Sequence, residues 1–282
     1  MAGTPMSLNS FNMPADGALS QRSPRSRFRR LGAGLACLAV LFPGAAGLAA
    51  DCPRTFGTPI EARGLDPHGD VVLADGRTLR LAALADIAAS PDPGRRAGLA
   101  ALVTGRALAL ASADPAPDRY GRLGALARLP DGRLVQQAVL EAGLAVARPE
   151  AGYLGCMPEL LAAERPARAG RLGVWAELPL EAQPPGSLEK AVGHFSVVTG
   201  RVLTVGSTRR LDYLNFGPVW RQDTTVRVSG PAREALKARA TGVTSLAGRD
   251  VTVRGNVDPI DGPVIDLRWA EQMEEVAEAS EP

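Results

Sequence analysis

Two stretches of this chain, on either side of the proline-bearing segment Leu178 to Ser187 (LPLEAQPPGS), carry the same order of short apolar runs. That shared order restricts the available folds more than any other feature. Upstream, Ile60–Leu65, Val71–Leu73 and Thr78–Leu84 read as short strands, with Asp75-Gly76 as the hairpin turn between the last two. Asp92 offers a helix cap, Pro93 a first-turn residue, and Arg95–Val103 a helical run. Arg106–Leu110 and Leu123–Leu129 then read as strands again. Downstream, Val197–Val205, Leu211–Phe216 and Thr224–Val228 are expected as strands, Ala232–Ala240 as a helix, and Asp250–Gly255 and Val264–Leu267 as strands.

Three strands, a helix and two more strands is the wiring of the OB-fold, a small Greek-key barrel. The expected class is therefore mainly β with α (α+β): two OB-fold-like five-stranded barrels, one at 51–177 and one at 191–276, joined by a linker at 178–190. Pro184, Pro185 and Gly186 resist helix and strand pairing, which sets the boundary. Two further helices close the first region. Leu134, Val135, Ala138, Val139 and Ala142 recur at helical spacing and stop at Gly143. A last helix from about Pro158 to Arg171 carries Pro166, which is expected to kink it. The tail at 277–282 is acidic and short.

Residues 1–50 read as a leader. Leu31 to Ala50 (LGAGLACLAVLFPGAAGLAA) is apolar, follows an arginine cluster, and ends in small residues, which is the form of a secretory signal peptide. Pro43 and Gly44 interrupt it before it reaches the roughly 20 residues of a membrane span, so cleavage near Ala49 or Ala50 is expected, with an uncleaved anchor as the alternative. Cys37 has Gly34 three positions upstream, where a lipoprotein signal carries an aliphatic residue. A periplasmic or secreted chain without its leader keeps two thiols, Cys52 and Cys156. They either pair, closing a loop of about 100 residues, or stay free.

The formal charge is +2, yet the leader holds five arginines against Asp16, so the remainder sums to −2. Nothing in that balance drives the protein toward phosphate backbones in general. His68 and His194 are too few for a histidine-rich metal site, and three cysteines cannot complete a four-thiolate zinc site.

Three segments of the first region, HGDVVLADGRTLRLAAL, DRYGRLGALARLPDGRLVQQAVLEAGLA and LLAAERPARAGRLGVW, follow one another in an order and spacing that resembles the staphylococcal nuclease (thermonuclease) family. The resemblance covers roughly Ile60 to Trp175 and includes an ending in which a helix with Glu164 and Arg168 runs into Gly173, Val174 and Trp175. It implies staphylococcal-nuclease-type helices on the first barrel and a calcium-dependent phosphodiesterase acting on DNA or RNA. In that chemistry two carboxylates hold the cation, a glutamate assists water attack, and two arginines stabilise charge on the phosphoryl oxygens. The second region looks like the OB-type extension behind some exported relatives of that family.

Carried over residue by residue, the resemblance implies Asp70 as the first metal-binding aspartate, with a strand-leading turn aspartate as the alternative and Asp66 as a competitor. It implies Arg80 and Arg122 as the phosphate-binding arginines; Arg122 ends Asp118-Arg119-Tyr120-Gly121-Arg122, and a guanidinium fork suits bidentate phosphate contact. The chain departs from the family where the catalytic acid belongs. It has Ala85, Asp86, Ile87 and Ala88 there, so Asp86 stands one place late as second metal ligand, and no glutamate occurs between Glu61 and Glu141. Loss of a positioned base costs roughly 10²–10⁴ in rate.

The expected function is thus an exported thermonuclease-like fold with degenerate catalysis and a retained anion-facing or nucleic-acid-facing pocket, with Ca2+ as the implied cofactor. Two alternatives stand beside it: an active calcium-dependent nuclease using a noncanonical acid, and a noncatalytic cell-envelope module that binds protein or glycan. In the second region Tyr213, Phe216, Trp220 and Trp269, interleaved with Arg209, Arg210 and Arg221, either form a base-stacking platform or fill a small barrel core.

Overall fold

Alternating burial closes the first five strands into a barrel. In β1 (Ile60–Leu65), β2 (Val71–Leu73) and β3 (Thr78–Leu81), Ala62, Val71, Leu73, Leu79 and Leu81 point inward while Arg80 points out. Asp75-Gly76 makes the expected hairpin turn, with Gly76 at φ 87° and the Asp75 carboxylate accepting the Arg77 N–H. Helix α1 (Pro93–Val103) starts on Asp92, whose carboxylate accepts the Gly94 N–H at 2.8 Å. Strands β4 (Ala107–Ala111) and β5 (Arg122–Arg128) complete a closed ring in the order β1-β2-β3-β5-β4, with β3 and β5 parallel.

The structure is a computed structural model that describes residues 52–85, 92–219 and 221–275, all within one compact unit, Ala45–Pro282. The leader at 1–50, Asp86, Trp220 and the tail at 277–282 lie outside the described residues. No described helix is long and apolar enough to cross a membrane.

Helices α2 (Val135–Glu141) and α3 (Met157–Ala169) pack on the first barrel. Their inward faces, including Val139, Leu140, Met157 and Leu160, share a core with the inward residues of the strands. The helix runs through Pro166 as a single element. That proline lies in the last turn, where the lost N–H removes one hydrogen bond without separating two long segments. Cys52 and Cys156 form a disulfide that ties the start of the described chain to the turn leading into α3.

Residues 178–190 do not stay free of pairing, because β6 (Leu180–Glu181) adds a two-residue parallel strand to β7 (Phe195–Arg201). The single strand expected over 197–205 divides into β7 and β8 (Thr204–Ser207). Val202 donates its N–H to Arg249, and Leu203 donates to Asn215, so the chain changes partner between consecutive residues. Strands β9 (Leu211–Asn215) and β10 (Thr225–Ser229), helix α4 (Gly230–Ala238), β11 (Asp250–Pro259), β12 (Pro263–Leu267) and β13 (Met273–Glu275) follow.

Instead of a closed five-stranded barrel, the second region forms an open eight-stranded sheet, β6-β7-β11-β12-β10-β9-β8, with β13 added beside β11. Its central pairings still repeat those of the first barrel: β10 and β12 are parallel, β11 pairs antiparallel with both β12 and β7, and β8 pairs antiparallel with β9. Since β7 and β8 are one bent stretch of chain, the backbone itself spans the gap in the sheet.

The two regions meet through an apolar cluster of Val146, Ala167, Trp175 and Val197. Trp175 reaches it because Gly143 and Gly173, at φ 65° and 54°, bring two backbone segments together and let Val174 donate its N–H to the Gly143 carbonyl at 2.9 Å. A Cβ on Gly173 would lie 2.1 Å from that carbonyl oxygen, so no other residue fits there. Beside this cluster Arg254 of β11 is fully buried against Glu164 of α3, with Nη2–Oε1 at 3.0 Å, and also donates to the Ala147 carbonyl and to Glu274. Arg168 joins through Glu274 and lies over the Trp175 ring.

Candidate functional site

A cavity of about 380 Å³ opens between the two regions. Asp70, Arg80, Arg122 and Glu150 line one side of it, and Phe195, Arg268 and Trp269 line the other.

On the first side, the turn before β2 is built by Asp66, whose carboxylate accepts the N–H groups of His68 at 2.8 Å and Asp70 at 3.0 Å. Asp66 is therefore the turn aspartate, and Asp70 is left to face the cavity, where its Oδ2 lies 3.2 Å from Arg122 Nη1. Arg122 opens β5, and its guanidinium also holds Asp118 at 2.9 Å. Asp118 in turn accepts the backbone N–H groups of Tyr120 and Arg122, which fixes the loop. Burial pushes the Asp118 carboxyl up, but these hydrogen bonds and the Arg122 charge outweigh it and leave it below its ordinary value. The exposed Tyr120 ring sits between Arg119 and Arg122, at 4.7 and 5.1 Å from their guanidinium carbons.

Arg80 lies opposite Gly124 on the parallel strand β5 and folds across it; a Cβ on Gly124 would stand 2.9 Å from the Arg80 Nη2. Its guanidinium meets Glu150 in a two-pronged pair: Nη1 donates to Oε2 at 3.1 Å and Nη2 donates to Oε1. The Ala83 N–H donates to the same Oε2 at 3.1 Å. Ala83, in the turn two residues past β3, lies in the left-handed region at φ 60°, an uncommon conformation for a residue with a Cβ. Beyond it, Arg148 donates its N–H to Ala83, and Ala85 donates to Val146. This short backbone pairing carries Glu150 to Arg80.

Glu150 is the acid that sequence reasoning missed. The expectation that no glutamate stands locally at the general-base position concerns the neighbouring sequence; Glu150 arrives from 70 residues away, past α2. No local pattern marks it, because its position depends on the tertiary pairing of residues 83–85 with 146–148. Burial pushes its carboxyl upward, but the hydrogen bonds and charge of Arg80, with the Ala83 N–H, hold it below its ordinary value. Burial disfavours the charged Arg80 likewise, and the Glu150 carboxylate overrides it and raises the guanidinium.

A folded-state carboxyl below its unfolded value adds stability that is complete above about pH 4.3 and is lost as pH falls through the lower folded value. Urea midpoints of the protein and of Glu150→Gln are thus expected to differ at about pH 6 and to converge as the pH is lowered through the carboxylate range. A difference that stays constant over that range would refute the ion pair.

Among the described residues the donors do not fit a calcium shell. No group of three or more His, Cys, Asp or Glu side chains converges. Calcium takes about six to eight oxygens, whereas both Glu150 oxygens are held by Arg80 and Ala83. Asp86, the second ligand implied by the resemblance, lies outside the described residues.

The second side of the cavity comes from β7, β11, β12 and the segment after β12. Gln272 is buried, and its amide is fully committed to backbone: Nε2 donates to the carbonyls of Arg254 and Asp266, and Oε1 accepts the N–H groups of Arg268 at 2.7 Å and Trp269 at 3.1 Å. This clamp fixes the Arg268-Trp269 dipeptide at the cavity wall. Asp266 is committed to Arg227 through two bonds of 2.6 and 2.8 Å. Of the aromatic residues singled out in this region, Phe216 fills the core, Tyr213 is half-buried, and Trp269 lines the cavity. No family model matches the chain, and no curated protein matches it.

Proposed function

We propose that this chain is an exported, thermonuclease-like protein, with an OB-type first barrel and an OB-like open second sheet, whose cavity binds phosphodiester anions of DNA or RNA and does not cleave them. The observation that carries this reading is the closed pair of Arg80 and Glu150. The carboxylate accepts three hydrogen bonds and is held in its ionised form at a depressed pKa, which makes it a weak proton acceptor for water. The guanidinium fork that a phosphoryl group would occupy is filled by the same carboxylate. Arg122 is likewise shared between Asp70 and Asp118. The machinery that resembles a hydrolase is thus neutralised from within, and a concave site lined by aromatic rings, by Arg148 and Arg268 and by Asp258 remains.

A second reading has one observation in its favour: Glu150, Asp70, Arg80 and Arg122 line the same cavity, as an active calcium-dependent nuclease would need. One experiment separates the two. The full chain, incubated with single-stranded oligothymidine and Ca2+, is expected to retain the oligomer with an affinity that falls steeply as salt rises, and to leave it uncut. The variant Arg122→Ala, which uncovers the Asp70 and Asp118 charges, is expected to weaken binding roughly tenfold. Calcium-dependent cutting that disappears in Glu150→Gln would establish the hydrolase. Absence of salt-sensitive binding at any ionic strength would favour the protein- or glycan-binding envelope module.

A further inference from the structure

The cations that remain available in the cavity are not those the motif singles out. Arg80 and Arg122 are both ion-paired, whereas Arg148 and Arg268 form no ion pair among the described residues. Arg148 stands beside an aromatic ring from the second region, and Arg268 lines the cavity together with Trp269. The Arg148 guanidinium lies 5.6 Å from the centre of the Phe195 ring, and Arg268 adjoins Trp269 in the dipeptide clamped by Gln272. One cation and aromatic pair, Arg148 with Phe195, and the Arg268-Trp269 dipeptide therefore line one cavity between the first barrel and the second sheet. Aromatic faces accept any base by stacking, and neighbouring guanidinium groups meet the phosphates on either side of it.

The size of the cavity favours a single nucleotide over a duplex. About 380 Å³ lies within the range of small-ligand pockets. It admits one nucleotide, and a duplex can present a base to it only after unpairing and unstacking.

We infer that Trp269, Arg268, Phe195 and Arg148 form a composite subsite for one unpaired nucleotide, so that the protein recognises single-stranded ends and short single strands and rejects duplex. The second region is then a wall of the binding site that sets its specificity. This inference rests on the proposed phosphodiester-binding function and adds to it which residues make the contact and which strand form is taken.

The test uses the full chain and three probes of equal length, single-stranded oligothymidine, the same oligomer with abasic sugars and a matched duplex, with the single strand also titrated over a range of salt. Trp269→Ala is expected to weaken oligothymidine binding about tenfold and to leave binding of the abasic oligomer unchanged. Arg268→Ala is expected to flatten the salt dependence by about 0.7 in the logarithmic slope, the value of one single-strand phosphate contact. Binding to the unmodified protein should quench tryptophan fluorescence, and the quench should vanish in Trp269→Phe, which keeps the ring volume if the alanine variant fails to fold.

Equal affinity for abasic and thymidine strands, or for duplex and single strand, would overturn the subsite. So would an unchanged affinity in both Trp269→Ala and Arg268→Ala while Arg122→Ala still weakens binding; in that case the phosphodiester-binding function stands and only the composite subsite falls. Failure of every probe to bind at low salt would remove the function and the subsite together.

Discussion

Replacing Glu164 by alanine is expected to destabilise the protein by about 3–5 kcal/mol, the usual cost of stripping one partner from a buried ion pair. Arg254 and Glu164 are 1% and 2% exposed, so water cannot take over the role of either. The substitution leaves the Arg254 guanidinium with Glu274 as its remaining carboxylate and also orphans the Ala147 N–H, which donates to Glu164 Oε2 at 2.6 Å. Because the pair joins α3 to β11, the loss acts at the junction of the two regions. Urea titration followed by tryptophan fluorescence measures it. A double variant, Glu164→Leu with Arg254→Met, is expected to recover part of the loss, since it removes the stranded charge along with its partner. A cost below about 1 kcal/mol for Glu164→Ala would show that the junction does not depend on this pair.

Removing the disulfide is expected to have an effect of similar size. Cys52 and Cys156 are 104 residues apart in sequence. A cross-link closing a loop of that length restricts the unfolded chain enough to add about 2–5 kcal/mol to stability. The double variant Cys52→Ser with Cys156→Ser should therefore unfold at a markedly lower urea concentration, and a reducing agent should bring the unmodified protein down to the same midpoint. Coincident midpoints for oxidised protein and double variant would contradict this. The bridge also secures the segment before β1, where Phe56 lies under the Arg128 guanidinium at 3.5 Å, so its removal should expose the first described residues to proteolysis ahead of the barrel.

Most of the strand order was legible in the residues because its causes are local. Alternation with period two marks β3 and β10, and Asp75-Gly76 and Asp92-Pro93 supply turn and cap chemistry that acts within a few residues. The division of β7 from β8 was not legible: Val202 and Leu203 are both strand formers, and only their hydrogen bonds to Arg249 and Asn215 turn one strand into two. The motif brought Asp70, Arg80 and Arg122 to notice, and they do line one cavity. That each arginine is already held by carboxylates was hidden, since Glu150 and Asp118 are ordinary acids until the fold places them.

The sequence by itself determined the strand and helix order of the first region and most of that of the second, the pairing of two cysteines as an available staple, and the residues that resemble a phosphodiesterase site. The tertiary structure alone decided how charge is distributed in that site. Electrostatic pairing falls off with distance through space and is indifferent to separation along the chain, so a glutamate 70 residues away neutralises Arg80. For the same reason Arg148 and Arg268, from opposite sides of the junction, are the lining arginines that form no ion pair among the described residues, whereas Arg80 and Arg122 are paired.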